Sequence, residues 1–228
     1  MNKSQRWATT LAILFSAVSM YGQEHSYYDT RHEVAVAIGA ITTTEVISGL
    51  ADMTAIMVSA ATTAVITGGN VSQYYSFDNE HYIPSLSAEY YYHFGKVVGV
   101  GGFMAFNGMT RDMYLTTNRQ QSGTTEKEKV KAGKASRHNL SIIPAVKFDW
   151  LRRKHVGLYS KVGIGASLLF DRQKEDAEGG TDDHSTTVIP NFQITPLGFE
   201  AGSLQWRGFL ELGLGEQGLV SAGARYKF

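Results

Sequence analysis

The sequence lacks cysteine and is poor in proline and in charged residues. Of its 228 residues none is cysteine, 4 are proline and 18% are charged. Without cysteine there is no disulfide scaffold, no thiol nucleophile and no zinc site built on sulfur. The 21 basic and 21 acidic side chains cancel, which argues against a nucleic-acid-binding protein, because such proteins carry a basic excess. Glycine is abundant instead, with 24 residues, and fits closely packed strands or a membrane-facing surface.

The first 22 residues have the features of a secretory signal peptide. Lys3 and Arg6 precede an apolar stretch over 7–18, and no acidic residue comes before Glu24. This stretch is too short for a membrane-spanning helix, which needs ~20 apolar residues. We predict removal of residues 1–22, with a cut after Ser19 as the alternative. Residues 23–228 then form a single exported domain.

Apolar and polar residues alternate with a period of two through most of the remaining chain. The alternation predicts eight strands, over 33–41, 82–94, 97–108, 139–150, 156–171, 186–199, 205–214 and 218–228. Long polar connections over 42–81, 109–138 and 172–185 alternate with short turns, as in an outer-membrane barrel with outer loops and periplasmic turns. An even strand number places both termini on the periplasmic side.

Alternation alone does not tell the inside of a barrel from the outside. In a soluble barrel the apolar face points inward, whereas in a membrane barrel it faces lipid. Aromatic residues such as Tyr92, Phe94, Trp150 and Trp206 gather at predicted strand ends, as an interfacial girdle requires. We therefore predict an all-β fold: an eight-stranded antiparallel up-and-down transmembrane barrel.

The last predicted strands carry a resemblance to a known family. Segments 198–202, 208–215 and 218–228 are rich in glycine and alternate in polarity, and the chain closes on Tyr226-Lys227-Phe228. They resemble the small OmpX/OmpW-like outer-membrane barrels of Bacteroidota. The resemblance implies a Gram-negative outer-membrane location with lipid and lipopolysaccharide as partners. It also implies that Tyr226 and Phe228 form the signal read by the barrel-assembly machinery.

Charged residues on the predicted inner face balance in sign. Its acidic members are Glu33, Glu89, Asp149, Asp171 and Glu211, and its basic members are Lys147, Lys161, Arg207, Arg225 and Lys227. Buried charges are tolerated when paired and hydrogen-bonded, whereas a selective pore shows an excess of one sign at its constriction. The balance predicts a lumen charge network that plugs the barrel.

Segment 46–67 has apolar residues at helical spacing, at Val46, Leu50, Met53 and Met57. Its length would suffice for a transmembrane helix, but its many Ser and Thr, with Gly49 and Asp52, argue against insertion. We predict a short amphipathic helix in the first outer loop. It either packs over the barrel mouth or lies at the lipid interface.

No catalytic, cofactor-binding or metal-binding residue is predicted. The seven histidines show no metal-ligand spacing. The combinations weighed for catalysis or ion binding are His81 with Ser85, His138 with Ser136 and Asp112, and Asp182-Asp183-His184. Spacing supports none of them, because catalytic sites are recognised by geometry.

The expected function is therefore a non-enzymatic, monomeric outer-membrane barrel that serves envelope structure or surface interaction through its long loops. The alternative is a narrow, porin-like channel for small or apolar molecules, with a lateral opening where Pro144, Pro190 and Pro196 weaken the strand ladder. A surface lipid-modifying enzyme is the third reading. The sequence names no ligand.

Overall fold

The structure, a computed structural model, describes residues 30–121, 124–176 and 180–228. The predicted signal peptide lies outside these residues. The described chain forms eight strands and one helix: β1 (His32–Ala40), α1 (Thr43–Ile66), β2 (Val71–His93), β3 (Val98–Gln121), β4 (Thr124–Arg152), β5 (Val156–Glu175), β6 (Asp182–Gly202), β7 (Trp206–Gly215) and β8 (Val220–Lys227).

The eight strands close into one antiparallel barrel in sequence order. The ring is completed by β1, which pairs with β2 on one side and with β8 on the other. Val34, for example, lies opposite Tyr90 of β2 and Tyr226 of β8. The predicted up-and-down topology is confirmed.

The barrel is apolar outside and polar inside. Along β1, Val34, Val36 and Ile38 are 40%, 63% and 51% exposed, while Glu33, Ala35 and Ala37, which alternate with them, are buried. The same alternation runs along β7, where Leu210 and Leu212 point outward and their neighbours inward. A soluble barrel has the opposite arrangement, so this is the architecture of a transmembrane barrel.

Five strands are longer than their alternation predicts. The polar connections expected over 109–138 and 172–185 are largely strand. The β3–β4 pairing continues out to Gln121 opposite Thr124, and the β5–β6 pairing continues out to Lys174 opposite Asp182. We call residues 71–83, 109–121, 124–138, 171–175 and 182–190 the outer extension. Its polar residues include cross-strand pairs such as Thr117 with Glu128. Apolar and polar residues alternate only weakly there, because these strand segments do not separate lipid from a polar lumen.

Helix α1 is 24 residues long rather than short, and it rises beside the outer extension. A capping box begins it: Thr42 Oγ1 accepts from the Glu45 N–H, and Glu45 accepts from the Thr42 N–H. By length and composition α1 would suffice to cross a membrane. It is instead hydrogen-bonded to β2, where Ser72 donates to the Ala60 carbonyl and Thr63 to the Gln73 carbonyl.

The two faces of α1 differ in side-chain size. Residues turned toward the protein are small or polar, such as Thr44, Ser48 and Asp52. The opposite face carries large, exposed apolar side chains: Val46, Ile47, Leu50, Met53, Met57, Val58 and Val65. The helix is thus amphipathic and lies in the first long connection as predicted, but most of its large apolar residues are exposed.

The ring is closed at the three prolines where a lateral opening was predicted, Pro144, Pro190 and Pro196. Pro196 lies where the register shifts in both ladders of β6, so it occupies a bulge. Pro144 pairs with Gly102, and Pro190 pairs with Ala166 beyond the last β7 pairing. The predicted lateral opening is absent from the described strands.

Candidate functional site

Ten charged side chains fill the inner half of the barrel. This half lies next to the short turns, where β1 begins and β8 ends. Each of these side chains is at most 5% exposed, and five acidic residues face five basic ones. We call them the inner charge network: Glu33, Glu89, Lys147, Asp149, Lys161, Glu200, Arg207, Glu211, Arg225 and Lys227. Because the charges cancel and are paired, the network is compatible with burial.

Glu200 joins three cations at the innermost level. Its carboxylate accepts from Arg207 Nη1 at 2.7 Å and Arg225 Nη1 at 2.8 Å, and it also pairs with Lys227. Arg207 extends the contact to the β4–β5 turn, where its Nη2 donates to the carbonyls of Arg153 and Lys154. This level of the lumen is crossed by direct hydrogen bonds.

Lys161 links two carboxylates at the next level. Its Nζ lies 2.7 Å from Glu89 Oε1 and 2.8 Å from Glu211 Oε2, and it donates to Gln217 Oε1 at 2.7 Å. Glu211 also accepts from the Tyr159 hydroxyl at 2.5 Å. Lys161, Glu89 and Glu211 lie on β5, β2 and β7, so their contact joins separate parts of the barrel wall.

His93 lies between two carboxylates. Its Nε2 is 3.3 Å from Glu33 Oε2, and its Nδ1 is 3.3 Å from Asp149 Oδ2. Lys147 approaches the same pair, at 2.7 Å from Glu33 and 3.5 Å from Asp149. A fully buried histidine therefore shares this anionic pair with a lysine.

Aromatic rings occupy the space between these ions. The Arg225 guanidinium lies 4.6 Å from the ring centroids of both Tyr159 and Phe209. Lys147 Nζ lies 4.2 Å from the Tyr159 ring. Cations stack favourably on aromatic faces, and the rings leave this half of the lumen packed with side chains.

The structure places nine of the ten predicted inner-face charges in the inner charge network: Glu33, Glu89, Lys147, Asp149, Lys161, Arg207, Glu211, Arg225 and Lys227. Asp171 lies apart and pairs with Arg137 in the outer extension. Glu200 was missed because predicted strand 6 stops one residue before it. Its alternation with Phe199, which is 45% exposed, is the signal that marks it as inward-facing.

A neutral polar layer lies outward of the inner charge network. Its buried members come from strands around the ring: Ser85, Ser87, Asn107, Asn139, Ser141, Ser167, Asn191, Gln193 and Thr195. Several bond one another, as Ser167 does with Ser141 at 2.6 Å and with Asn191 at 2.7 Å. Nothing in the sequence pattern distinguishes these short polar residues from ordinary inward-facing ones.

Glu216 enters this layer from the β7–β8 connection and is fully buried. Its carboxylate accepts from the side-chain amides of Asn107 at 3.1 Å, Asn139 at 2.5 Å and Asn191 at 2.8 Å. Its backbone carbonyl accepts from the Ser85 hydroxyl at 2.6 Å. The connection therefore folds into the barrel mouth as a plug.

Helix α1 is anchored on the same carboxylate. Thr44 donates its backbone N–H to Glu216 Oε1 at 3.1 Å and its hydroxyl at 2.6 Å. Helix N-termini carry free N–H groups and a partial positive charge, which favour a carboxylate. The start of α1 and the β7–β8 turn together cover the mouth.

Glycine allows the inward turn. Gly218 has a φ of 96°, and a Cβ there would lie 2.4 Å from the Ala40 carbonyl oxygen. A Cβ on Gly39 would lie 1.8 Å from the Gln217 carbonyl oxygen. The turn and β1 approach so closely that side chains at these positions would collide.

The residue combinations weighed for catalysis are engaged elsewhere. Ser85 donates to Glu216, and the His138 ring stacks on Phe106 with centroids 5.9 Å apart. Asp112 pairs with Lys131 at 3.0 Å and accepts from Asn79, which lowers the pKa of its carboxyl. Among the described residues no group of three His, Asp or Glu is arranged to hold a metal ion.

Aromatic residues surround the inner rim, where the last residue of the chain lies. The Phe228 ring stacks on His32 at 5.3 Å and on Tyr226 at 5.7 Å between centroids. Phe228 and His32 also exchange backbone hydrogen bonds of 2.9 Å. The two residues that the family resemblance marks as an assembly signal thus lie side by side on the outer surface.

No family model and no curated protein matches the chain. Among solved structures, the chain is similar to Ail, the attachment invasion locus protein of Yersinia pestis, in complex with the heparin analogue sucrose octasulfate. The identity is 12% over 87% of this chain and 99% of that chain, with a TM-score of 0.38.

Proposed function

We propose that this protein is an outer-membrane barrel that does not conduct, and that it serves envelope structure or surface interaction through its outer extension. The observation that carries this proposal is the filled lumen. Lys161 bonds Glu89 and Glu211 across the inner half, and Glu216 with three asparagines fills the mouth. A pore needs a continuous polar path, which this packing interrupts.

The exterior supports the membrane location. Outward positions on neighbouring strands are apolar, including Ile38, Leu86, Val100, Ile142, Val162, Ile194 and Leu212. Such a belt would cost free energy in water, and it matches the lipid-facing band of a membrane barrel. Lipid and lipopolysaccharide are the partners that this surface fits.

The outer extension supports a role at the cell surface. Five strands continue past the barrel, whereas β1, β7 and β8 end with it, and α1 rises beside β2. The extension presents solvated charge pairs such as Arg172 with Asp182 at 2.6 Å. A filled barrel that carries a projecting sheet is suited to display rather than to transport.

Planar-bilayer recording tests the closed lumen. Wild type and a deletion of residues 44–66 are expected to show no resolvable conductance steps, because the inner charge network remains when the helix is removed. Steps in wild type would contradict the proposal. Steps only in the deletion would show that α1, and not the network, closes the barrel.

Cysteine labelling tests the location and orientation, and the cysteine-free chain provides a clean background. Thr181→Cys lies in the β5–β6 connection, and Ser203→Cys lies in the β6–β7 turn at the opposite end. A membrane-impermeant maleimide should label Thr181→Cys on intact cells and Ser203→Cys only after lysis. The reverse pattern, or no labelling of either on intact cells, contradicts the surface role.

A further inference from the structure

A cleft of 460 Å³ opens between α1 and the outer ends of β2 and β3. Most of its lining is apolar: Val46, Leu50, Met53 and Ile56 from the helix, with Phe77 and Met109 from the strands. Its size falls within the range of small-molecule sites, ~300–1,000 Å³. It lies outside the filled lumen, between α1 and the outer extension.

The charged residues that line this cleft are mainly acidic. Asp52 and Arg111 neutralise each other through a 2.5 Å ion pair, and the Arg111 guanidinium stacks 3.6 Å from the Phe77 ring centroid. Glu45 and Glu80 remain. Their described hydrogen-bond donors are neutral: the Thr42 backbone N–H for Glu45 and the Tyr82 hydroxyl for Glu80.

The raised pKa of the Tyr82 hydroxyl fits a negative potential at the rim of the cleft, which Glu45 and Glu80 form. The Tyr82 hydroxyl donates to Glu80, and this hydrogen bond raises the pKa of Tyr82 to about 12. Forming a second negative charge beside the Glu80 carboxylate is therefore unfavourable. An anionic ligand group at the same place would meet the same repulsion, whereas a cation would be attracted.

We propose that this cleft binds a cationic amphiphile, with its apolar chain along Leu50, Met53 and Met109 and its cationic head group beside Glu45 and Glu80. The apolar walls suit an alkyl chain, which forms no hydrogen bonds. The acidic rim favours a positively charged head group. The proposal is independent of whether the barrel conducts.

Calorimetric titration of the protein in lipid nanodiscs tests this site, with empty nanodiscs subtracted. The probes are decyltrimethylammonium and decyl sulfate, at equal concentrations below both micelle concentrations. We expect saturable, one-to-one binding of the cation and at least about tenfold weaker binding of the anion. Equal binding of the two, or only non-saturable partitioning, overturns the proposal.

Two exposed methionines of α1 supply a matched pair of variants. Met53 lines the cleft and is 60% exposed, whereas Met57 is 61% exposed and lies one turn further along, outside the lining. Met53→Lys should weaken binding of decyltrimethylammonium by about tenfold or more, because it replaces apolar surface with a like charge. Met57→Lys should leave affinity unchanged. An equal loss of affinity in both variants would show that the probe partitions onto the exposed helix face, and it would reject the cleft as a binding site.

Removal of the rim charge gives a second, milder test. Glu80→Gln should weaken cation binding by about threefold and narrow the preference over decyl sulfate. Glu126→Gln, an exposed acidic residue in the outer extension and outside the lining, is the control and should change neither. Heat-modifiable migration on gels verifies that each variant is folded. If folded Glu80→Gln keeps the wild-type preference for the cation over decyl sulfate, Glu80 does not select the charge of the head group.

Discussion

Thr44, the second residue of helix α1, donates both its backbone N–H and its hydroxyl to the carboxylate of Glu216, 172 residues later in the chain. The contact joins the first long connection of the barrel to its last turn. Three asparagine amides from β3, β4 and β6 converge on the same carboxylate. The barrel mouth is thus held closed around one acidic residue.

We expect Glu216→Ala to release α1 from the mouth. The substitution leaves three buried amides and Thr44 without their acceptor, at about 1–3 kcal/mol for each group that stays unsatisfied. Limited chymotrypsin digestion in liposomes should cut α1 faster than in wild type, and unfolding in urea should begin at lower concentration. Glu128→Ala, at an exposed position of β4, is the control. Equal protection of α1 in both variants would contradict the anchor.

Lys161→Met should destabilise the barrel strongly. It removes the closest cation that Glu89 and Glu211 share and leaves Arg225, at 3.2 and 3.6 Å, as the remaining cation beside these two buried carboxylates. Breaking a buried ion pair from one side costs about 3–5 kcal/mol.

The double variant Lys161→Met/Glu211→Gln removes part of the excess negative charge. Its free energy of unfolding in lipid vesicles should exceed that of the single variant. Additive losses in this double-mutant cycle would show that the two residues are not coupled.

Leu212→Arg and Glu211→Gln test the two faces of β7. Leu212 is 46% exposed on the outer face, whereas Glu211 is 2% exposed in the inner charge network. A cation on the lipid face near the midplane costs ~2–4 kcal/mol, so Leu212→Arg should reduce folding into vesicles the more severely. Glu211→Gln loses the ion pair with Lys161, but its amide oxygen is still able to accept the hydrogen bond from the Tyr159 hydroxyl.

The same experiment separates a membrane barrel from a soluble one. In water, Glu211→Gln would be nearly silent if Glu211 faced solvent. Folding of wild type that is equally efficient without lipid or detergent would reject the transmembrane reading of the barrel.

Phe228→Ser should reduce assembly into the outer membrane. The change removes the terminal ring that stacks on His32 and Tyr226 and that we propose as part of the assembly signal. Fractionation followed by heat-modifiability on gels measures the assembled barrel. Phe94→Ser is the control, because Phe94 is another exposed aromatic residue, next to the β2–β3 turn. Equal losses in the two variants would assign the effect to the aromatic rim in general.

Strand number, order and faces were predictable because the barrel separates two environments. Where lipid lies outside and a polar lumen inside, each strand must alternate, as at Val34, Val36 and Ile38 against Glu33. The outer extension lacks this constraint, so stretches such as 124–131 read as polar loop although they pair with β3. For the same reason the outer ends of five strands were misplaced. Glu200 lies at the inner end of β6 and was missed because the predicted strand stopped at Phe199.

The sequence by itself determined the alternation, the eight strands and the inward position of the charges, since these depend on a local period of two. Only the tertiary structure decided which charges pair. Arg207 bonds Glu200, and Glu211 contacts Lys161 more closely than Arg225. It alone also revealed the Glu216 plug, because that site is made by residues from three strands, a turn and a helix. Closure of the ring brings them together, and no local pattern records it.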